Sequence, residues 1–279
     1  MRHRWSPKLE KARDILRRTG GCAVAFSGGV DSSLVLSIAG EVLGERALAV
    51  ISISSTYAQK ECQQAIQWVK DNHIPYLTIV SEELDLPQFS NNPPDRCYYC
   101  KKELFTRIKS IARSRGLESV ADGTNADDAA DWRPGMKAAK NLGVISPLLE
   151  AELGKQEIRE ISRKIYHLPT AEKPAMACLA SRFPYGSVIT RQKLKQVEEI
   201  EEFLEKLGFK NYRARHHGEI LRLEVEKAQM GMLMELKQKV VEFAKNRGFT
   251  YVTVDLEGYR SGSMNEMIEI KKKEEHYEK

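Results

Sequence analysis

Short apolar segments alternate with longer amphipathic segments along the first half of the chain. In the amphipathic segments, apolar residues recur at helical spacing, whereas the short apolar segments are typical of buried strands. In chain order, the pattern predicts a strand at 22–26, a helix at 31–43, a strand at 47–53, a helix at 59–72 and a strand at 76–80. Strands that alternate with helices in this way form a parallel sheet with crossover helices.

The same pattern resumes after a polar, proline-rich stretch at 86–96. It predicts a helix at 101–113, a short strand at 120–123 and a helix at 155–166. The sheet is therefore expected to contain at least four parallel strands. We predict an α/β fold with helices on both faces of that sheet.

The second half of the chain has a different organisation. Residues 168–186 contain Pro169, Pro174 and Pro184, so they cannot form one continuous helix, and we expect an ordered loop. A smaller α+β unit is predicted after it: a helix to 207 capped by Thr190, strands at 213–216 and 220–225, a helix at 228–247 and a strand at 251–256. We expect a main domain over residues 1–186, a second domain over 187–270 and a charged tail over 271–279.

Composition excludes several classes of protein. With 42% hydrophobic and 30% charged residues among 279, the chain is typical of a globular protein and not of a collagen or a coiled coil. No apolar run approaches the roughly 18 residues that span a bilayer, and the basic N-terminus lacks an apolar signal core. We expect a cytoplasmic protein without a membrane partner. The 44 Lys and Arg exceed the 39 Asp and Glu by five, which permits a nucleic-acid partner without requiring one, and we expect none.

The strongest local signal is a glycine-rich turn between the first predicted strand and the first predicted helix. It consists of Ser27, Gly28, Gly29, Val30, Asp31, Ser32 and Ser33. Glycines allow positive φ and turn backbone N–H groups toward an anion, and the hydroxyls add donors at a helix N-terminus. The turn therefore predicts a pyrophosphate site. It lacks the lysine of a Walker loop, so transfer of a γ-phosphoryl group is not expected.

The chain has five cysteines, an odd number that argues against a disulfide framework. Cys97 and Cys100 are one helical turn apart, so both thiols can reach one metal, and Cys178 supplies a third thiol. This set is compatible with an iron–sulfur cluster, a redox pair, half a zinc site or incidental cysteines. Cys22 and Cys62 are interpreted as core or surface thiols.

The turn at 27–33 resembles the signature of the PP-loop ATP pyrophosphatases, which split ATP into AMP and pyrophosphate. This resemblance implies that Asp31 helps to hold Mg²⁺ on the pyrophosphate. Residues 52–57 follow the second strand, and further polar residues follow the fourth, where an open α/β sheet binds its nucleotide. We assign to AMP the residues Ser54, Gly123, Thr124 and Asn125.

Six further segments resemble the LarE family over essentially the whole chain. They are DRCYYCKK from Asp95, DGTNADD from Asp122, RPG from Arg133, KPAMACLASRFPYG from Lys173, RARHHG from Arg213 and DLEGYRSGSMN from Asp255. The family contains ATP-dependent sulfur transferases that make the nickel-pincer cofactor of lactate racemase. The resemblance implies a pyridinium-3,5-biscarboxylic acid mononucleotide as substrate, whose carboxylates are adenylated and converted to thiocarboxylates. It also implies a homo-oligomer.

Two sulfur sources exist in that family. In some members, the cysteine at the position of Cys178 gives up its own sulfur and is left as dehydroalanine. Others also carry a CxxC and resemble enzymes with a [4Fe-4S] cluster on three cysteines. Because this chain has the CxxC, we expect a cluster on Cys97, Cys100 and Cys178, which together with Asp31 are the expected catalytic residues.

Arginines in the second half predict a site for the phosphate of the substrate. Arg213 and Arg215 alternate on a predicted strand, which directs both side chains to one face, where two guanidiniums suit a phosphate. The family resemblance adds Ser181 and Arg182. His216 and His217 are interpreted as polar packing, and three carboxylates remain candidates for a cation site: Glu219, Glu224 and Asp255.

Alternative functions share some of these features. A tRNA thiolase would use the same turn and cysteine trio but needs a broad basic surface, whereas NAD and GMP synthetases need no cysteine trio. A non-catalytic AMP-binding or metal-binding module is the alternative from another class. Turnover of ATP to AMP and pyrophosphate separates such a module from the enzymes.

Overall fold

The computed structural model describes residues 6–130, 134–174, 177–260, 262, 263 and 266. Its strands are β1 Cys22–Ala25, β2 Ala47–Ile53, β3 Tyr76–Val80, β4 Ser119–Ala121, β5 Arg213–His217, β6 Ile220–Glu224 and β7 Tyr251–Val254. Its α-helices are α1 Ser6–Arg17, α2 Val30–Leu43, α3 Gln59–Asp71, α4 Pro87–Ser90, α5 Arg96–Ser114, α6 Pro134–Asn141, α7 Pro147–Glu150, α8 Lys155–Lys164, α9 Arg191–Lys206, α10 Met230–Glu235 and α11 Lys237–Lys245.

The described residues form two compact units. The first contains residues up to 83 and residues 95–174, and the second contains residues 84–94 and those from 177 onward. Asn92 anchors the short segment 84–94 within the second unit, because its side-chain amide donates to the carbonyls of Phe183 and Pro184. The linear division after residue 186 stays a prediction, and the charged tail at 271–279 lies outside the described residues.

The first unit contains the predicted parallel sheet. Its four strands lie in the order β3-β2-β1-β4, and every pair is parallel. Cys22 at the start of β1 is in register with Ala47 on one side and Ser119 on the other. The α/β prediction is therefore confirmed, and β1 lies between the second and the fourth strand.

Alternate residues of the sheet pack into two different apolar clusters, so helices cover both faces. On β1, Cys22 and Val24 pack in a cluster with residues of α1, α2 and α8, whereas Ala23 packs in a cluster with residues of α5. Burial raises the pKa of the Cys22 thiol to about 12. Cys22 is therefore a protonated core residue at neutral pH, as its position in a strand predicts.

The second unit combines α9 with a small sheet in the order β5-β6-β7. The two predicted strands, β5 and β6, pair antiparallel, whereas β7 runs parallel to β6. Thr190 caps α9 as predicted, since its hydroxyl accepts from the Lys193 N–H at 3.2 Å. The buried face of the helix consists of Leu194, Val197, Ile200 and Leu204.

Some predicted element boundaries were wrong. The helix predicted at 228–247 is divided at Leu236, whose ψ of 6° interrupts helical geometry between α10 and α11. α5 begins at Arg96 and not at residue 101, and it includes the CxxC, whose helical spacing was predicted. The described part of 168–186 contains no continuous helix, as predicted, and forms 3-10 turns at Pro169–Glu172 and Leu179–Arg182. No helix in the described ranges is both long and apolar enough to cross a membrane.

Candidate functional site

The glycine-rich turn follows β1 and leads directly into α2. Gly28 has φ of +73°, and a Cβ at this position would lie 3.0 Å from the Cβ of Ala65 in α3. Both observations require glycine here, because a side chain strains that conformation and has little space. Gly29 differs from the prediction, since its φ of −82° and ψ of 163° are extended backbone.

The hydroxyls of the turn hold its shape. Ser32 Oγ donates to the Gly29 carbonyl at 3.1 Å and lies 3.1 Å from Ser27 Oγ. The Ser27 N–H donates in turn to Ser32 Oγ at 3.3 Å. Ser33 is fully buried, and its Oγ has no hydrogen-bond partner within the described chain. The serines of the turn therefore fix its shape. The first backbone N–H groups of α2 have no carbonyl of a preceding helical turn to which they could donate.

Asp31 in the first turn of α2 contacts two residues that are distant in sequence. Lys155 Nζ lies 2.5 Å from its Oδ2, and the Asn125 side-chain amide donates to its Oδ1 at 3.4 Å. Asn125 was predicted for this region, whereas Lys155 was not. No sequence signal marks Lys155, because 124 positions separate it from Asp31.

The segment after β4 packs against the start of α2. A Cβ on Gly123 would lie 2.8 Å from the Ser32 backbone nitrogen, so the two backbones approach closely. Thr124 is fixed by Asp122, which accepts from the Thr124 N–H at 3.1 Å and from its hydroxyl at 2.7 Å. The structure therefore brings Asp31, Gly123 and Asn125 together at the carboxyl ends of β1 and β4.

Ser54 lies at the end of β2 in a polar cluster that the sequence did not predict. Its hydroxyl and that of Thr56 both donate to Oε1 of Glu83. Glu83 is fully buried, and its Oε2 has no hydrogen-bond partner among the residues described. The cluster fixes the end of β2, whose neighbour in the sheet is β1.

Lys173 also reaches the glycine-rich turn. Its ammonium lies 3.4 Å from the Gly28 carbonyl oxygen and 3.2 Å from Gln64 Oε1, and it forms an ion pair with Glu61. Arg159 donates to the Lys173 carbonyl at 2.9 Å and so fixes the backbone of this segment. The sequence motif that starts at Lys173 predicts a role for Cys178 but none for Lys173.

The predicted metal-binding cysteines are distributed over the two units. Cys97 and Cys100 are the second and fifth residues of α5, and Cys178 directly precedes the turn Leu179–Arg182. None of the five cysteines, all of which are described, forms a disulfide. Within the described ranges, no group of three or more His, Cys, Asp or Glu side chains is arranged to hold a metal ion. The cluster and the magnesium site stay predictions.

The arginines predicted for a phosphate differ in their surroundings. Arg215 is buried and forms a two-point pair with Glu224 at 2.9 and 2.7 Å. Arg182 is also buried and forms a two-point pair with Glu201 at 2.8 Å for each bond. Both guanidiniums therefore already have a carboxylate partner, which is expected because a buried charge needs a countercharge.

Arg213 has no ion pair within the described chain. Its guanidinium stacks on the Tyr259 ring at 5.0 Å and donates to the Tyr212 carbonyl at 2.7 Å. Burial lowers the pKa of Arg213, and the neighbouring Arg182 lowers it further. Of the three arginines predicted for phosphate, Arg213 is the one that gains most from an external anion.

Neighbouring polar groups of the second unit have structural partners. Ser181 accepts from Arg182 through its hydroxyl at 2.8 Å and from Arg215 through its carbonyl at 2.9 Å. His216 stacks on Phe183 at 5.2 Å, and burial lowers its pKa to about 4. Its imidazole is thus neutral at pH 7 and packs as predicted.

Two of the three carboxylates that were predicted as candidates for a cation site are paired with arginines. Glu224 accepts from Arg222 at 3.0 Å in addition to Arg215, and Asp255 lies within ion-pair distance of Arg222 and Arg260. These contacts give both carboxylates a structural role. Glu219 stays a candidate for the cation site, because the described residues show no contact with its carboxylate.

Sequence similarity to known proteins shows the family to which the chain belongs. A sequence model of the NAD synthase family matches residues 13–113, which include β1, the glycine-rich turn and α2. The pyridinium-3,5-bisthiocarboxylic acid mononucleotide synthase of Lactiplantibacillus plantarum is 36% identical, over 92% of this chain and 91% of its own length. The chain belongs to the LarE family.

Other relatives of this LarE-family chain match most of its length at higher or lower identity. An uncharacterized protein of Synechocystis is 39% identical, over 94% of this chain and 98% of its own length. One of the subunits of the glutamine-hydrolyzing GMP synthase of Pyrococcus horikoshii is 24% identical, over 74% of this chain and 72% of its own length. PP-loop proteins of this kind are ATP-using enzymes.

Proposed function

We propose that this protein is an ATP-dependent sulfur transferase. It converts the carboxylates of pyridinium-3,5-biscarboxylic acid mononucleotide to thiocarboxylates for the nickel-pincer cofactor of lactate racemase. One observation carries the proposal: in a LarE-family chain, Asp31 and Ser32 of the turn at 27–33 meet Gly123 and Asn125 at the carboxyl ends of β1 and β4. This edge is where a sheet of this topology binds its nucleotide.

Adenylation activates the substrate. A carboxylate oxygen attacks the α-phosphorus of ATP, the bond from that phosphorus to the bridging oxygen breaks, and pyrophosphate leaves. The N–H groups at the start of α2 bind the pyrophosphate, and Asp31 would hold the Mg²⁺ that offsets its negative charge. Ser54, Gly123, Thr124 and Asn125 lie at strand ends of the same sheet, where they bind AMP.

Sulfur transfer completes the reaction. A sulfide attacks the carbonyl carbon of the acyl adenylate, the bond from that carbon to the AMP oxygen breaks, and AMP leaves. In this proposal, Arg213 and Ser181 bind the phosphate of the mononucleotide. Arg182 and Arg215 have an indirect role, because they fix the backbone around the site. Arg182 pairs with Glu201 and donates to the Cys178 carbonyl. Arg215 pairs with Glu224 and donates to the Ser181 carbonyl.

In the version that we favour, Cys97, Cys100 and Cys178 would hold a [4Fe-4S] cluster that carries the sulfide. Cys97, Cys100 and Cys178 supply three thiols, the donor type that such a cluster requires, and none of them is consumed in a disulfide. When bound, a cluster with three protein ligands supplies one iron that can carry an exogenous sulfide. The alternative is sacrifice of the Cys178 sulfur. The proposal also includes a cytoplasmic enzyme that forms a homo-oligomer.

One reaction tests the proposed function. Protein purified without oxygen is incubated with MgATP, sulfide, reductant and the mononucleotide, and we expect pyrophosphate, AMP and thiocarboxylate in equal amounts. Formation of no pyrophosphate would overturn the assignment, and transfer of labelled sulfur to tRNA in its place would favour a tRNA thiolase. Iron and labile-sulfide analysis of the same sample tests for the cluster.

Substitution of the cysteines separates the two sulfur sources. Cys97→Ala, Cys100→Ala and Cys178→Ala should each abolish sulfur transfer and leave release of pyrophosphate, which depends on the turn at 27–33. Cys62→Ala is the control and should behave as the parent. If the intact mass of the parent falls by one hydrogen sulfide at Cys178 after reaction, the cluster mechanism is wrong and the sacrificial one is correct.

A further inference from the structure

Positive charge is concentrated on two neighbouring helices of the first unit. α5 and α6 together contain eight Lys and Arg but a single acidic residue, Glu103, whereas the whole chain has an excess of five Lys and Arg. The rest of the chain therefore contains slightly more acidic than basic residues. A local excess of one charge raises the potential over that part of the surface and attracts partners of the opposite charge.

Three of these cations form a stripe along one side of α5. Lys102, Lys109 and Arg113 follow each other at intervals of seven and four residues, which places their side chains within about 40° of one another around the helix axis. The stripe extends about 16 Å along that axis. A different side of the helix faces the core, and its buried residues include Leu104, Phe105, Ile108 and Ala112.

α6 lies beside this stripe and adds two cations to it. Ala139 of α6 packs in the same apolar cluster as the buried side of α5, and Lys109 Nζ donates to the Leu142 carbonyl at 2.5 Å. Lys137 and Lys140 are exposed and three residues apart, so they share one face of α6. We call these five side chains the basic surface of α5 and α6: Lys102, Lys109, Arg113, Lys137 and Lys140.

The basic surface differs from other cations of the first unit in its contacts. Lys8, Arg13 and Arg107, for example, each form an ion pair with a glutamate. In the part of the chain that the structure describes, no carboxylate lies within ion-pair distance of the five cations, and Lys109 donates to a backbone carbonyl. The described residues therefore leave the charge of this surface to an anion from outside the chain.

The extent of the surface favours a protein over a nucleic acid as the source of that anion. A stripe of about 16 Å spans only about five phosphates along one strand of a duplex. A longer nucleic acid would continue over the rest of the chain, which has more acidic than basic residues. A small acidic patch on a globular protein matches both the length and the charge of the surface.

We propose that the basic surface of α5 and α6 docks the acidic face of a partner protein. Lys102 lies two residues after Cys100 on α5, so a docked protein lies beside the CxxC. Contacts between exposed charges increase the rate of association and are screened by salt, so the complex forms quickly and is transient. This inference does not depend on the chemistry that we propose for the cysteines.

Fluorescence anisotropy with a labelled poly-L-glutamate peptide tests the inference on the full chain. The parent should bind the peptide, and added salt should weaken this binding. A triple variant with Lys102→Gln, Lys137→Gln and Lys140→Gln should bind about ten-fold more weakly or worse, because three charge contacts are lost. Circular dichroism checks that the variant is folded, which we expect because all three side chains are exposed.

The matched control removes three lysines from another exposed helix. Lys237→Gln, Lys239→Gln and Lys245→Gln on α11 change the net charge of the chain by the same amount, and these side chains are also exposed. This variant should bind the peptide nearly as the parent does. Equal losses in the two triple variants would show that only net charge matters and would overturn the inference, as would a parent that does not bind the peptide.

Labelled tRNA in the same assay separates the two classes of partner. At equal salt, tRNA should bind the parent more weakly than the peptide does. If tRNA binds more tightly, and loses affinity only in the variant of α5 and α6, the surface is a nucleic-acid site and the proposal is wrong.

Cross-linking of the parent chain provides a measurement that does not depend on variants. A peptide whose carboxylates have been activated with a carbodiimide forms amide bonds with nearby lysines, and mass spectrometry identifies the positions. Cross-links should be concentrated at Lys102, Lys137 and Lys140. Cross-links that are as frequent on the lysines of α11 would contradict the inference.

Discussion

The turn at 27–33 and strand β5 are both candidate anion sites, but their donors are of different kinds. The donors of the turn are mainly backbone N–H groups at the start of α2. Those of β5 and the neighbouring turn are guanidiniums, and two of the three, on Arg182 and Arg215, are bound to Glu201 and Glu224.

The cost of burial explains this difference. A backbone N–H carries no net charge, so the fold can leave it near a ligand site without a countercharge. A guanidinium such as that of Arg215, whose side chain is 5% exposed, requires a carboxylate nearby. We infer that the turn binds its anion directly, whereas β5 binds one mainly through Arg213.

The largest effect is expected at the turn. Asp31→Asn should lower the rate of pyrophosphate release by about a hundred-fold or more, because the carboxylate that shares Mg²⁺ is lost. The chain should stay folded, since Asp31 is partly exposed and its ion pair is with a partly exposed lysine. Release of labelled pyrophosphate measures the rate, and circular dichroism checks the fold. If the variant releases pyrophosphate at the parent rate, Asp31 only stabilises the start of α2.

On β5 the largest effect should be on stability. Arg215→Met leaves the buried Glu224 with the Ser263 hydroxyl and with Arg222 as its one cationic partner among the described residues, and removal of one partner from a buried pair costs about 3 to 5 kcal/mol. Urea unfolding measures this loss. The double variant Arg215→Met with Glu224→Met should recover much of it, because both charges are then removed. If the single variant is as stable as the parent, Arg215 is not the buried structural ion that the contacts indicate.

Several features of the turn and its sheet could be predicted from the sequence, because they depend on neighbouring residues. The bounds of β2 and β3 agree with their apolar segments, and Gly28 has the positive φ that its place in the motif predicts. Gly29 does not, and the glycine content alone could not show which of the two adopts it.

Pairings between distant residues could not be predicted. Lys155 contacts Asp31 across 124 positions, and Ser54 contacts the buried Glu83 across 29. Hydrophobic periodicity places a residue on a face of its own element but does not identify its partner on another. For the same reason, the alternation of Arg213 and Arg215 predicted their shared face but not the pairing of Arg215 with Glu224.

A smaller effect is expected for Arg213. Arg213→Met should weaken binding of the mononucleotide about ten-fold, because one charge-assisted contact is lost, and should leave the affinity for ATP nearly unchanged. The free energy of unfolding should change little, since no buried carboxylate depends on Arg213 among the described residues. Separate calorimetric titrations with the two ligands measure this. Equal losses for both ligands would remove the functional distinction between the turn and β5.

The smallest effect concerns His216, which follows Arg215 on β5. Burial lowers its pKa from the usual 6.5 to about 4, so between these values the unfolded chain binds a proton that the folded chain does not. The contribution of His216 to stability is therefore complete above pH 6.5 and is lost as the pH falls toward 4. Urea unfolding at several pH values should show this slope, and His216→Gln should reduce it. An unchanged slope in the variant would mean that His216 binds a proton as readily in the folded as in the unfolded chain, in conflict with its packing between Phe183 and Phe249.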